Sequence, residues 1–222
     1  MNGRRYKSLF ALFPSVPVLV VLAVPSTAFA HRLDEYLQAT IVAIEPDRIR
    51  LQINLTPGVT VSGQVLSLID RDRDGVISTN EAVAYSDLIK HEIIVRLDDR
   101  DLAVKLTSSY FPGCDELQTG WGFVQLEFSS TLGRLPAGAH GLTIENRHLP
   151  KVSAYLINAA MPQSASIQIT KQIRNENQST GEIQFTYQPR NSFKALGFVA
   201  FLLVLVVFVS AGSQRLRVSA TH

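Results

Sequence analysis

The sequence contains one cysteine, Cys114, so no disulfide can form within the chain, and the fold must rest on a hydrophobic core and on any metal it binds. No His-x-His pair and no methionine-rich stretch is present, so a ready-made soft-metal cluster is missing. Charge of one sign is also missing, for the formal net charge is +2. Arg4, Arg5 and Lys7 lie at the start, and Arg215 and Arg217 lie at the end. The middle of the chain is therefore close to neutral, which argues against a nucleic-acid partner. Catalytic signatures are missing as well. There is no Gly-x-Ser-x-Gly and no His-Glu-x-x-His, and His91-Glu92 is followed by Ile93, Ile94 and Val95 where a zinc site needs a second histidine. Gly120-Trp121-Gly122 is not a phosphate loop. No internal repeat and no low-complexity tract is evident. The expected role is non-enzymatic.

The most informative stretch is Asp70-Arg71-Asp72-Arg73-Asp74-Gly75-Val76-Ile77-Ser78-Thr79-Asn80-Glu81. Carboxylates recur at alternate positions and return at the end, and Gly75 sits where a sharp turn needs a residue without a side chain. Upstream, Val61, Val65, Leu68 and Ile69 repeat at helical spacing, and downstream Ala84, Tyr85, Leu88 and Ile89 do the same. Ser78 and Glu81 make a Ser-x-x-Glu pair suited to capping the second helix. The stretch from Val59 to Lys90 resembles the EF-hand family. The resemblance implies a calcium ion held by Asp70, Asp72, Asp74, the Val76 carbonyl, Ser78 and Glu81, with Ile77 pinning the loop to neighbouring structure. Calcium is a hard cation that takes about six to eight oxygens, and this set supplies them. Arg71 and Arg73 offset part of the acidic charge. EF-hands usually come in pairs and one is visible here, which implies a site used more as a clip than as a steep sensor.

Both ends of the chain are apolar. After its basic start, Leu9 to Val24 is mostly apolar, and Ala28-Phe29-Ala30 supplies a small-x-small cleavage site. Residues 1–30 are therefore expected to be a secretory signal peptide cut before His31. No cysteine stands near the cut, which excludes a lipoprotein anchor. Ala195 to Ala211 carries no charge, and residues 193–212 are long enough to cross a hydrocarbon core of roughly 30 Å as a helix. Arg215 and Arg217 follow it, so residues 213–222 are expected to be a cytoplasmic tail and residues 31–192 an exported body, periplasmic or extracellular.

That body reads as mainly β. Leu37–Ile44 and Ile49–Leu55 are strand-like runs joined by the turn sequence Glu45-Pro46-Asp47-Arg48. Ile93, Val95 and Leu97 alternate, as do Leu102, Val104 and Leu106, and Asp98-Asp99-Arg100-Asp101 between them predicts a hairpin. Further strands are expected at 123–128, 141–145, 153–158, 166–173 and 182–187. About nine short strands predict an antiparallel β-sandwich, with the helix–loop–helix inserted between its second and third strands.

A second resemblance rests on Ala30-His31-Arg32-Leu33-Asp34-Glu35-Tyr36-Leu37-Gln38-Ala39, on Asn146-Arg147-His148-Leu149-Pro150 and on Ser192-Phe193-Lys194-Ala195-Leu196-Gly197. These segments are similar to the exported domains that precede nickel-transporter-like membrane modules of the HupE/UreJ type. The resemblance implies a membrane-protein partner, and the 193–212 run itself holds no polar residue suited to an ion path. An alternative follows from the predicted cut. His31 would become the amino terminus, and an amine with an imidazole chelates copper, so His31 with His91, His140 or His148 is a candidate copper or nickel site.

Overall fold

A computed structural model describes residues 34–189. The expected signal peptide, His31, the apolar run 193–212 and the tail 213–222 lie outside the described residues. Ten strands and three helices are described: β1 (Tyr36–Ile44), β2 (Arg48–Pro57), α1 (Val59–Ile69), α2 (Thr79–Glu92), β3 (Ile93–Leu97), β4 (Arg100–Asp101), β5 (Lys105–Tyr110), α3 (Cys114–Gln118), β6 (Val124–Thr131), β7 (Gly138–Asn146), β8 (Ser153–Ala159), β9 (Ile167–Arg174) and β10 (Thr180–Tyr187). The protein is mainly β, as expected, and the helix–loop–helix falls between β2 and β3.

The strands form two five-stranded sheets, in the orders β5-β6-β2-β1-β8 and β4-β3-β7-β10-β9. Alternation decides which side chains go inward. In the first sheet Ile49, Leu51, Ile53 and Leu55 of β2 are buried with Val124, Leu126 and Phe128 of β6. In the second, Val95 of β3, Leu142 and Ile144 of β7, and Ile183 and Phe185 of β10 are buried, and all of these belong to one core. The two sheets meet closely at Gly181 of β10, where a Cβ would stand 2.7 Å from Ile157 Cγ2 of β8.

Two expectations need correction. The pairing is not wholly antiparallel, because β1 and β8 run parallel, from Tyr36 opposite Ser153 to Val42 opposite Ala159. The predicted hairpin is also only a stub. Asp98 and Asp99 make its turn at φ of 49° and 63°, a conformation that aspartate tolerates. Arg100 and Asp101 pair with β3, Leu102 N adds a bond to Val95 O at 2.8 Å, and the chain then crosses to the first sheet as β5, beside β6. Leu102 and Val104 pack against the core along that crossing.

The body has two distinct ends. At one end β2 enters α1, α2 enters β3, and the β7–β8 connection passes close by. At the other lie the β1–β2 turn, the β6–β7 and β8–β9 connections and the end of β10. We call the second end the base. It is tied together by bonds from Leu132 N to Asp47 O (2.7 Å) and from Gln188 N to Ser166 O (2.8 Å).

Candidate metal centre

α1 buries Val61, Ser62, Val65, Leu66 and Ile69 along one face and packs against α3. It ends at Asp70, whose N–H donates to Leu66 O at 2.8 Å. The first acidic residue of the loop is therefore fixed by a helix end. α2 begins where the sequence predicts. The Ser78 Oγ accepts from Glu81 N at 3.3 Å, and Glu81 Oε2 accepts from Ser78 N at 3.0 Å, which completes a capping box. Between the helices, Arg73 at φ 62° and Gly75 at φ 83° turn the backbone, and only glycine adopts the latter without steric cost.

Asp70, Asp72 and Asp74 come together. One carboxylate oxygen from each lies within 4.8 Å of the others, a grouping able to hold a metal ion. Among the described residues no other group of three or more His, Cys, Asp or Glu side chains meets in this way. Each carboxylate is oriented by backbone N–H groups of the loop. Gly75 N donates to Asp70 Oδ2 at 3.1 Å, Asp74 N to Asp72 Oδ1 at 3.2 Å, and Val76 N to Asp74 Oδ1 at 2.8 Å. Asp70 differs from its neighbours in burial, being 8 % exposed, and its Oδ1 is buried with no hydrogen-bond partner. A buried carboxylate oxygen without a donor is costly, and a cation removes that cost.

Glu81 stands apart from this trio. Its Oε1 accepts from Arg71 N at 2.7 Å, and its Oε2 accepts from the Ser78 hydroxyl at 2.7 Å. It thus ties the start of the loop to the start of α2. Those bonds, led by the Ser78 hydroxyl, lower its pKa to about 2. Asp72 shifts the other way. The Asp74 N–H favours its charged form, but desolvation and the nearby charges of Asp74 and Glu81 outweigh this and raise its pKa. Added negative charge is resisted here, so positive charge is favoured. Val76 is 65 % exposed at the loop surface, and Ile77 packs against the core.

The candidate histidines are committed elsewhere. His91 Nδ1 lies 2.6 Å from Asp87 O, and His140 bridges Asp98 Oδ2 (2.8 Å) and Pro136 O (2.9 Å). His148 is fully buried, with Nδ1 on Glu92 Oε2 and Nε2 3.1 Å from the Tyr85 hydroxyl. That hydroxyl lies 2.7 Å from the Tyr36 hydroxyl. The His148 carbonyl accepts from Gln38 Nε2 and Tyr155 Oη, at 2.8 and 2.7 Å. Glu92 and Tyr85 belong to α2, Tyr36 and Gln38 to β1, and His148 follows β7. The network fastens the second helix of the loop to both sheets. Burial lowers the His148 pKa, against the opposing pull of Glu92. Sequence reasoning did not find this network, since its members come from separated segments and each looks ordinary alone.

No family model, no curated protein and no solved structure matches this chain.

Proposed function

We propose that the chain is an exported, membrane-anchored β-sandwich protein that binds one calcium ion in an EF-hand between α1 and α2, and that its role is structural or in protein interaction rather than catalysis. The observation that carries this reading is the buried Asp70 Oδ1, without a partner, beside the carboxylates of Asp72 and Asp74. The donor set would be Asp70, Asp72, Asp74, the Val76 carbonyl, Ser78 and Glu81, all oxygen, which suits calcium rather than a soft metal. An ion here would join the end of α1 to the start of α2. Because α2 is fastened to both sheets through Tyr85 and Glu92, the ion would act as a clip on the whole body. Calcium outside the cytoplasm matches the range of extracellular modules of this type, with dissociation constants of about 10⁻⁴–10⁻³ M.

The test is thermal unfolding and calorimetry on the full chain in detergent. Calcium should give a saturable heat at one site and raise the melting temperature, by roughly 2.7 kcal/mol of added stability at a hundredfold excess over the dissociation constant. An identical melting temperature in calcium and in chelator, with no binding heat, would reduce the loop to an acidic turn.

A further inference from the structure

The base of the body differs in chemistry from the end that carries the acidic loop. The β8–β9 connection, residues 160–166, reads Ala-Met-Pro-Gln-Ser-Ala-Ser and has no charge. Within it Met161 is 89 % exposed, more than any other large apolar side chain among the described residues. The β6–β7 connection carries one charge, the exposed Arg134, among Leu132, Leu135, Pro136 and Ala137. The β1–β2 turn adds Glu45 and Asp47, both ion-paired with Arg48, at 3.6 and 2.8 Å. A cavity of about 580 Å³ lies between the β1–β2 turn, the β6–β7 connection and the end of β10, lined among others by Pro46, Leu132, Arg134, Tyr187 and Pro189. The carboxylates of Asp70, Asp72, Asp74 and Glu81 are all at the opposite end.

The chain leaves the described body at the base. Three residues, 190–192, separate Pro189 from the start of the apolar run at Phe193. At full extension that tether reaches about 14 Å. The headgroup layer on each side of a bilayer is itself roughly 5–8 Å thick. If residues 193–212 cross a membrane, the tether holds the base within roughly 6–9 Å of the headgroup layer.

We propose that the base is a membrane-contact surface, in which Met161 enters the lipid interface and Arg134 meets lipid phosphate. The inference rests on the anchor reading above and adds an orientation. The uncharged 160–166 loop and the apolar residues around Arg134 suit an interface where apolar groups gain and a cation finds phosphate. The acidic loop then faces away from the membrane, where an anionic lipid surface does not repel its carboxylates. Long tethers leave orientation free, whereas a short one restricts it.

The chain's single tryptophan supplies the control. Trp121 stands three residues before Val124, which pairs with Leu55 at the acidic-loop end. The full chain is reconstituted into phosphatidylcholine vesicles containing a minority of phosphatidylglycerol, with and without brominated acyl chains. Trp121 emission should be the same in both. A Trp121→Phe, Met161→Trp variant should lose most of its emission in the brominated vesicles, and adding Arg134→Glu should weaken that loss. Met161 is almost wholly exposed, so the substitution leaves the core untouched. Vesicle flotation separates the two readings. A variant that floats with the vesicles but keeps its emission overturns the contact surface and leaves the anchor standing. A chain that does not float overturns the anchor reading and the contact surface together.

Discussion

The Sγ of Cys114 lies 3.9 Å from Oδ2 of Asp70, which places the chain's one thiol against the first acidic side chain of the loop. Cys114 opens α3 and is buried, and α3 packs on α1 and β2. Desolvation first, and then the Asp70 charge, raise its pKa. The thiol is thus both shielded and held protonated.

Because the thiol reacts only when α3 and the loop part, its labelling rate reports their opening. With Ellman's reagent at neutral pH, calcium should slow labelling, by up to about a hundredfold at a hundredfold excess over the dissociation constant if the same opening releases the ion. Equal rates in calcium and chelator would show that the loop and α3 open independently of the ion.

Substitutions in the loop should separate charge from ligation. Glu81→Gln should weaken calcium binding by about tenfold or more, since the last loop position gives two oxygens to the ion. Arg71→Gln should leave affinity equal or tighter, by removing a positive charge beside the site. Magnesium should compete poorly, because it keeps its waters and wants a smaller octahedral shell. Titration calorimetry reads all three, and a Glu81→Gln affinity equal to that of the unaltered chain would remove Glu81 from the donor set.

The buried hydroxyl pair should show strong coupling. Tyr85→Phe removes the group that lies between the Tyr36 hydroxyl and His148 Nε2. Leaving buried polar groups unpaired should cost about 1–3 kcal/mol in denaturant unfolding. Tyr36→Phe should cost much of the same, and the double variant less than the sum, with a coupling of about 0.5–3 kcal/mol. Strict additivity would mean that the two hydroxyls are held separately.

A pH dependence follows from His140 and Asp98. Burial works against charging His140, but the Asp98 carboxylate and the Pro136 carbonyl outweigh it and raise the pKa. For Asp98, desolvation is outweighed by the Gly141 N–H and by His140, and the pKa falls. The His140 contribution is complete below its unfolded pKa of about 6.5 and is lost as pH rises through the higher folded value. The Asp98 contribution is complete above its unfolded pKa of about 3.9 and is lost as pH falls through the lower folded value. The melting-temperature gap between the protein and Asp98→Asn should therefore be widest between about pH 4 and 6.5 and should narrow by pH 8 to 9. A gap that stays constant over this range would assign the effect of Asp98 to its bond with Gly141 N alone.

Gly181→Ala tests how tightly the sheets meet. The new methyl would stand 2.7 Å from Ile157 Cγ2, inside any normal contact. Overpacking of this kind should cost about 1–3 kcal/mol, and Ile157→Ala in the same chain should recover part of it. An unchanged melting temperature would show that the sheets can part at this point without cost.

What the sequence discloses follows from how local each signal is. β1, β2 and β3 alternate because one face of each is buried, and their positions are readable within a few residues. The loop is readable because its acids, its glycine and its capping pair sit close together in the chain. β5 is not readable, since its side chains are exposed or half-buried on both faces and no alternation results. The Leu102, Val104 and Leu106 alternation suggests a second hairpin strand, yet it accompanies a crossing between sheets. α3, at five residues, is too short to leave a helical period. The separation of Glu81 from the aspartate trio and the Glu92–His148–Tyr85–Tyr36 chain depend on distant partners, which no local pattern encodes.

The parallel pairing of β1 with β8 has a consequence for the order of assembly. β1 is the first of the described strands to be made, but its neighbour on one side does not exist until Ser153 and beyond have emerged. Until then the antiparallel pair of β1 and β2 presents an open edge, and the buried Tyr36–Tyr85 contact lacks His148. A chain halted before β8 therefore carries an exposed template for pairing with other chains. Closure joins the first strand to nearly the last third of the sequence, a long-range step of the slow kind. Protease resistance of the body is therefore expected only once β8 has paired with β1.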